Sequence, residues 1–160
     1  MDKPLTVWYC DVCGEKIYLN DASKNLKPEE TGIVQWKRDE NFKAYGFKIT
    51  HKIKCDLNYP SWFPLEDFIG DKGRALLLSF LNPGPIKERL YKKKFAEAEI
   101  KDFSEFFDLF HRVQTPYYEE ARKYFNCSEV LDYFSDDNEI NPYLPETLKK
   151  IIEKFNNICE

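Results

Sequence analysis

The chain has 160 residues and a formal net charge of −4, and 42% of its residues are hydrophobic, with 13 Phe and 10 Tyr. This composition excludes a disordered chain and predicts one domain of ordinary size, or a small metal module beside a second lobe. The acidic balance argues against non-specific nucleic-acid binding by the chain as a whole. The first sixty residues hold ten Lys/Arg and nine Asp/Glu, which leaves room for a local basic patch.

The cysteine content predicts the compartment. No signal peptide is visible, and no apolar run approaches the roughly 20 residues that a membrane-spanning helix needs. There are five Cys, an odd number, and two of them form a Cys-x-x-Cys pair. In a protein that is not exported, this pattern indicates a reduced, metal-binding set rather than a disulfide framework. We therefore expect a cytoplasmic protein without a membrane partner.

The first sixty residues are predicted to be rich in β-strand. A short strand is expected at 5–9. The segments 32–37 and 45–50 alternate apolar and polar residues, as half-buried strands do. The polar turn 38–41 between them predicts a β-hairpin with a loop longer than the tightest kind. The polar segment 21–30 is predicted to be a loop.

After residue 60 the pattern becomes helical. We expect a short helical turn at 65–70 and then a helix at 72–81. The second of these is apolar nearly all round, which predicts a central buried helix. Asn82-Pro83-Gly84-Pro85 ends it, and a highly charged helix is expected at 86–98.

Three further helices are predicted in the last third. Asp102 is the expected N-cap of a helix whose apolar stripe is formed by Phe103, Phe106, Phe107 and Phe110. Thr115 and Pro116 predict the start of a second helix that runs to about residue 125. A short turn is expected around Val130, and a final helix is expected from Pro145.

Together these elements predict an α+β fold. A β-rich zinc-binding lobe would cover residues 1–60 and a helical lobe would cover residues 61–160, the two forming one compact unit.

Four residues in the first lobe have the spacing of a metal site. Cys10 and Cys13 can hold one ion if the backbone between them curls, and Gly14 permits this because glycine accepts a positive φ. His51 and Cys55 follow the predicted hairpin and would complete a Cys3His set. A tetrahedral set of four protein ligands leaves no position for water, so the sequence predicts structural Zn²⁺. The alternative is a redox Cys-x-x-Cys, which lacks its usual βαβ setting here.

Other candidate residues are weaker. His111 lies near Asp108 and Glu119 in sequence, so a general-base pair is one hypothesis, and an ordinary helix histidine paired with an acid is favoured over it. No catalytic or cofactor-binding residue is therefore predicted. The zinc-deaminase signature is absent. Cys127 and Cys159 are interpreted as two ordinary semi-buried thiols.

Two groups of basic residues are candidates for phosphate binding. The first group lies in a predicted helix, and a solvated helix surface is the favoured interpretation of it. Its members are Lys87, Arg89, Lys92, Lys93 and Lys94. The second lies in the predicted zinc lobe and, with Trp36 and Tyr45, would offer a basic and aromatic surface to single-stranded nucleic acid: Lys37, Arg38, Lys43, Lys48, Lys52 and Lys54.

Several segments carry a resemblance. They are WYCDVCGEKI, GIVQWK, FKITHKIKCD, PLEDFIG with the following LLLSFL, and FHRVQTPYYEEARKYF. Over residues 8–125 the chain is similar to a family of small bacterial or phage-borne proteins with a Cys-x-x-Cys-Gly and His-x-x-x-Cys site. The resemblance implies a metal site and carries no activity with it.

Three functions follow in order of preference. The first is a non-enzymatic zinc-binding protein that acts as a protein-interaction or regulatory module. The second is a zinc protein that binds nucleic acid in transcription or phage-related processes. The third is an enzyme that uses His111, and it would require a pocket around that residue.

Overall fold

A computed structural model describes residues 3–19, 26–92, 94, 97–135 and 141–159. The predicted α+β fold is confirmed: two small antiparallel sheets lie in the N-terminal part and six α-helices follow. Among the described residues, no helix is long and apolar enough to cross a membrane. Lys93 and residues 21–25 of the predicted loop 21–30 lie outside the described residues.

The first sheet is a two-stranded ribbon that frames the Cys-x-x-Cys turn. Strand β1 (Val7–Tyr9) pairs antiparallel with β2 (Lys16–Tyr18), and the register places Tyr9 opposite Lys16. Trp8 and Ile17 face each other in this register and both are fully buried. Their packing fixes the ribbon and therefore the turn that it carries.

The second sheet has three strands in the order β4-β3-β5. The predicted hairpin is present as β3 (Gly32–Arg38) and β4 (Ala44–His51). Strand β5 (Ser61–Pro64) pairs with the other edge of β3, with Trp62 opposite Gln35. The expectation that helical structure begins at residue 60 is therefore wrong over these four residues. The run is too short, and too close to two prolines, to show a strand period.

Six α-helices follow the sheets in the described part of the chain. They are α1 (Gly70–Leu81), α2 (Gly84–Tyr91), α3 (Phe103–Gln114), α4 (Tyr118–Ala121), α5 (Ser128–Ser135) and α6 (Pro145–Phe155). Short 3-10 turns lie at Pro28–Glu30, Leu65–Phe68 and Arg122–Tyr124. The predicted cap of α3 is present, since the Asp102 carboxylate accepts from the amides of Ser104 (2.8 Å) and Glu105 (3.2 Å).

Several helix predictions need correction. Helix α1 buries one face only, with Leu77 inside and Leu78 half exposed. Helix α2 ends at Tyr91 rather than near residue 98, because Lys92 adopts a left-handed conformation (φ 49°) that terminates it. Helix α4 begins at Tyr118, after a left-handed Tyr117, and not at Pro116.

The apolar stripe of α3 is also rotated from the predicted one. Of the four predicted phenylalanines, Phe106 is buried, whereas Phe103 (59%) and Phe107 (44%) are exposed. The buried face continues through Leu109 and Val113. A stripe of phenylalanine at helical spacing did not identify the core here, because the adjacent leucine and valine face the sheet.

The described hydrophobic residues form two clusters. The larger one joins both sheets to α1 and α3, and it includes Trp8, Trp36, Leu77 and Leu109. The smaller one joins α4, α5 and α6. The larger cluster contains residues from both sides of the predicted lobe boundary near residue 60.

Candidate metal centre

The structure brings the four predicted ligands together. Cys10 follows β1, Cys13 lies in the turn before β2, His51 ends β4, and Cys55 lies in the turn after it. One ligand atom from each residue lies within 4.8 Å of every other. Two segments 38 residues apart therefore converge, with Cys13 Sγ 3.5 Å from His51 Nδ1.

The turn between the cysteines has the curled backbone that metal binding needs. Gly14 has φ of 74°, and its amide donates to the carbonyl of Cys10 at 2.9 Å. The amide of Val12 donates to Cys10 Sγ at 3.4 Å. The first contact closes the turn, and the second directs a backbone N–H group at sulfur, which stabilises a thiolate.

The His51 imidazole is oriented by its second nitrogen. Nε2 lies 3.2 Å from the carbonyl oxygen of Lys16, so the N–H of the ring donates there. Nδ1 then presents its lone pair to the cysteine sulfurs. This arrangement, with one nitrogen anchored to a backbone carbonyl, is typical of histidine ligands of metals. The side chain is 2% exposed, so the ring is held on all sides.

The thiols differ in their acidity. Burial opposes ionisation of Cys10, but the amides of Cys13, Val12 and His51 outweigh it and lower the pKa of Cys10 to about 6. For Cys55, burial together with the neighbouring sulfurs of Cys13 and Cys10 raises the pKa to about 12. Three sulfurs this close cannot all carry negative charge unless a cation lies between them.

The donor set fits a tetrahedral metal ion. Ligand atoms around Zn²⁺ with bonds of about 2.1–2.3 Å lie roughly 3.5–3.8 Å apart, and the sulfur–nitrogen distance already falls in this range. Three sulfurs and one imidazole nitrogen suit Zn²⁺ better than Mg²⁺ or Ca²⁺, which prefer oxygen. Cys10, Cys55 and His51 are buried and Cys13 is exposed, so the centre lies just beneath the surface.

A buried ionic network that no sequence pattern predicted connects this centre to the helices. Arg112 of α3 is 3% exposed and donates to the carboxylates of Asp11 (2.8 Å and 3.0 Å) and Glu119 (2.7 Å and 3.1 Å). It also donates to the carbonyl of Tyr9 at 3.1 Å. The structure places Arg112 on the buried face of α3 with Leu109 and Val113, which is not the phenylalanine stripe that the sequence predicted.

His111 packs among aromatic rings. Its Nδ1 is 2.8 Å from Thr115 Oγ1, and its ring stacks on Tyr118 with centroids 4.9 Å apart. Asp108 accepts from the Tyr118 hydroxyl at 3.0 Å, and Glu119 is bound to Arg112. Burial lowers the pKa of His111, against a smaller opposite effect of Asp108. The imidazole therefore contacts Thr115 and the Tyr118 ring, while the two neighbouring carboxylates bind other residues.

Cys127 and Cys159 form a disulfide between the segment before α5 and the segment that follows α6. The interpretation of these residues as two free thiols is therefore wrong, because their separation of 32 residues gave no pairing signal. Disulfides are typical of oxidising compartments. The cytoplasmic prediction, which depended on a fully reduced cysteine set, loses that part of its support.

Comparison with known proteins adds no relative. No family model, no curated protein and no solved structure matches the chain. The resemblance to a bacterial or phage-borne family stays a prediction.

Proposed function

We propose that this protein is a non-enzymatic binding module, built around one structural zinc ion, that docks a protein partner. A Cys3His set fills a tetrahedral shell and leaves no open position at which Zn²⁺ could activate water. The centre would instead fix the β1–β2 ribbon to the β3–β4 hairpin. The commitment of His111 to Thr115 and Tyr118 also supports a function without catalysis.

The exposure of helix α2 supports a protein partner. It has eight residues and none of them is buried. Ile86 is 75% exposed and Leu90 is 72% exposed, and their spacing of four places them on one face. Isolated helices shorter than about 12–15 residues are marginal in water, so a helix of this length normally needs its apolar face covered. Large exposed apolar side chains of this kind mark interaction surfaces.

The positive charges beside this apolar face indicate the charge of the partner's surface. Lys87 and Arg89 lie beside Ile86 and Leu90 on α2 and are exposed. The partner that fits is a protein with an apolar groove rimmed by Asp and Glu side chains, into which the helix would lay its isoleucine and leucine.

Two measurements test the proposal. Purified protein should contain one zinc per chain, and the Cys55→Ser variant should contain none, whereas Cys127→Ser should retain it. The partner is tested by comparing proteins retained from host extract by wild type and by Ile86→Asp/Leu90→Asp. We expect a protein that the variant specifically loses. Identical retention by both would remove α2 as the docking helix.

A nucleic-acid partner is the second candidate function. The observation that favours it is a group of lysines beside aromatic rings on the three-stranded sheet, none of which pairs with a carboxylate among the described residues.

A further inference from the structure

One side of the three-stranded sheet carries an unusual combination of cations and rings. We call this surface the lysine–aromatic face. Its members are Lys37, Tyr45, Lys48, Lys52, Tyr59 and Trp62.

Sheet register places the members that lie in strands on the side away from the helices. Tyr59 and Lys52 lie outside the strands and join this face through their contacts with Lys37 and Trp62. Cross-strand partners share a face, and Lys37 lies opposite Tyr45 while both Lys48 and Trp62 lie opposite Gln35. The other face holds Val34, Trp36 and Ile49, which join the core formed with α1 and α3. The lysine–aromatic face is therefore not needed to build that core.

The rings and ammonium groups lie close together. Lys37 Nζ is 4.6 Å from the centre of the Tyr59 ring, and Lys52 Nζ is 5.6 Å from the centre of the Trp62 ring. Trp62 is 46% exposed, although indole is usually well buried. These contacts hold flat rings at the surface with positive charge beside them.

The chain neutralises its other nearby cations but not these. Arg38 pairs with Glu99 at 3.4 Å, Lys43 pairs with Glu97 at 2.8 Å, and Lys54 pairs with Glu15. Within the described part of the chain, no carboxylate oxygen is recorded within 4 Å of the ammonium groups of Lys37, Lys48 or Lys52. Three lysines without a carboxylate partner among the described residues therefore lie on the face that carries the rings, although the protein is acidic overall.

We propose that the lysine–aromatic face binds single-stranded nucleic acid. This inference deepens the second candidate function and rests on it. The lysines would contact phosphates, and Trp62 with Tyr59 would stack on bases. Single strands fit because their bases can reach an aromatic ring, whereas a duplex hides its base faces in the stack and offers phosphates alone.

The tryptophan content allows a direct test. Trp8 is fully buried and Trp36 is 3% exposed, so Trp62 is the indole that a base can reach. Titration with oligothymidylate should quench tryptophan emission in wild type. In Trp62→Phe the quenching should disappear, while binding measured by fluorescence anisotropy of a labelled oligonucleotide persists because phenylalanine can still stack. Trp62→Ala should weaken binding about 5- to 150-fold, since stacking contributes about 1–3 kcal/mol per base.

Salt dependence tests the lysines separately. Each phosphate contact to a single strand contributes a slope of about −0.7 to log K against log salt concentration, so three lysines predict a slope of about −2. Lys48→Ala/Lys52→Ala should reduce that slope by about 1.4. Lys43→Ala, which removes an ion-paired lysine from the same lobe, is the matched control and should leave it unchanged.

Three results would overturn the inference: no binding of oligothymidylate at low salt, duplex bound as tightly as the single strand, or binding unchanged in both Trp62→Ala and Lys48→Ala/Lys52→Ala. The variant Ile86→Asp/Leu90→Asp should bind oligothymidylate as wild type does. Failure of the α2 docking proposal and failure of this one are therefore distinguishable.

Discussion

Asp11 accepts two hydrogen bonds from Arg112, a residue 101 positions away. Asp11 lies between two candidate metal ligands, Cys10 and Cys13, and its carboxylate also accepts from the amide of Ile49 at 2.7 Å. One carboxylate thus ties the Cys-x-x-Cys turn both to the strand that ends at His51 and to helix α3. The metal centre is positioned from outside its ligand set as well as by the ligands themselves.

We expect Arg112→Met to lower the free energy of unfolding by about 3–5 kcal/mol, because Asp11 and Glu119 would lose their main counterion while remaining largely buried. Urea denaturation of the zinc-saturated protein measures this change. The triple variant Arg112→Met/Asp11→Asn/Glu119→Gln should recover part of the loss, since no uncompensated buried carboxylate would remain. Arg74→Met removes an exposed arginine and should change stability by less than about 0.5 kcal/mol. A similarly small effect of Arg112→Met would contradict the network's role.

Reduction of the Cys127–Cys159 bond should destabilise the helices around it. The bond closes a loop with a sequence separation of 32, for which the loss of loop-closure entropy in the unfolded chain corresponds to about 3–4 kcal/mol. Urea unfolding with and without a phosphine reductant measures the effect. Cys127→Ser/Cys159→Ser should have the unfolding free energy of the reduced wild type, and reductant should not change it. A non-reducing digest without a peptide linked through these two cysteines would contradict the disulfide.

His111 should make stability depend on pH. Burial lowers its folded-state pKa below the ordinary value of 6.5, so below about pH 6.5 the unfolded chain binds the proton more readily and unfolding is favoured. Any stability that depends on neutral His111 is complete above pH 6.5 and is lost as pH falls toward the folded-state pKa. His111→Phe keeps a ring beside Tyr118 and cannot titrate.

The measurement is the difference in unfolding free energy between wild type and His111→Phe at about pH 7.5 and about pH 5.5. Wild type should lose more than the variant on acidification. Effects of acid on the metal centre are common to both proteins and cancel in this comparison. Parallel losses in the two proteins would show that His111 stays equally solvated when folded.

Gly73 should not tolerate a side chain. A Cβ built there would lie 1.9 Å from both the carbonyl carbon and the carbonyl oxygen of Phe68, which are backbone atoms that cannot rotate away. We expect Gly73→Ala to cost about 1–3 kcal/mol through a forced backbone shift. Arg74→Ala, one residue further along α1, is the control and should be close to neutral. Thermal unfolding compares the two, and equal melting temperatures would contradict the close approach.

The sequence predicted the parts of the fold that have strong local signals. The β3–β4 hairpin, the Asp102 cap and the final helix from Pro145 follow from alternation, capping chemistry and helical spacing. It also selected the four residues that the structure places together, because Cys-x-x-Cys-Gly constrains the backbone locally.

The remaining features depend on contacts between distant residues. Strand β5 is defined by its pairing with β3, and no property of residues 61–64 alone reveals that partner. The pairing of Cys127 with Cys159 likewise depends on how α5 and α6 meet. Arg112 shows the limit of patterning most clearly, because a charged residue at a buried position is explained only by carboxylates supplied from Asp11 and Glu119.

The disulfide and the metal centre require different redox states of cysteine within one chain. Cys10, Cys13 and Cys55 must stay as thiolates to hold an ion, while Cys127 and Cys159 must be oxidised. An ion bound early would shield three of the five sulfurs from oxidant, so the remaining two could pair only with each other. The order of events during maturation therefore matters: protein refolded in air without zinc should accumulate scrambled bridges, and adding zinc afterwards should not rescue them.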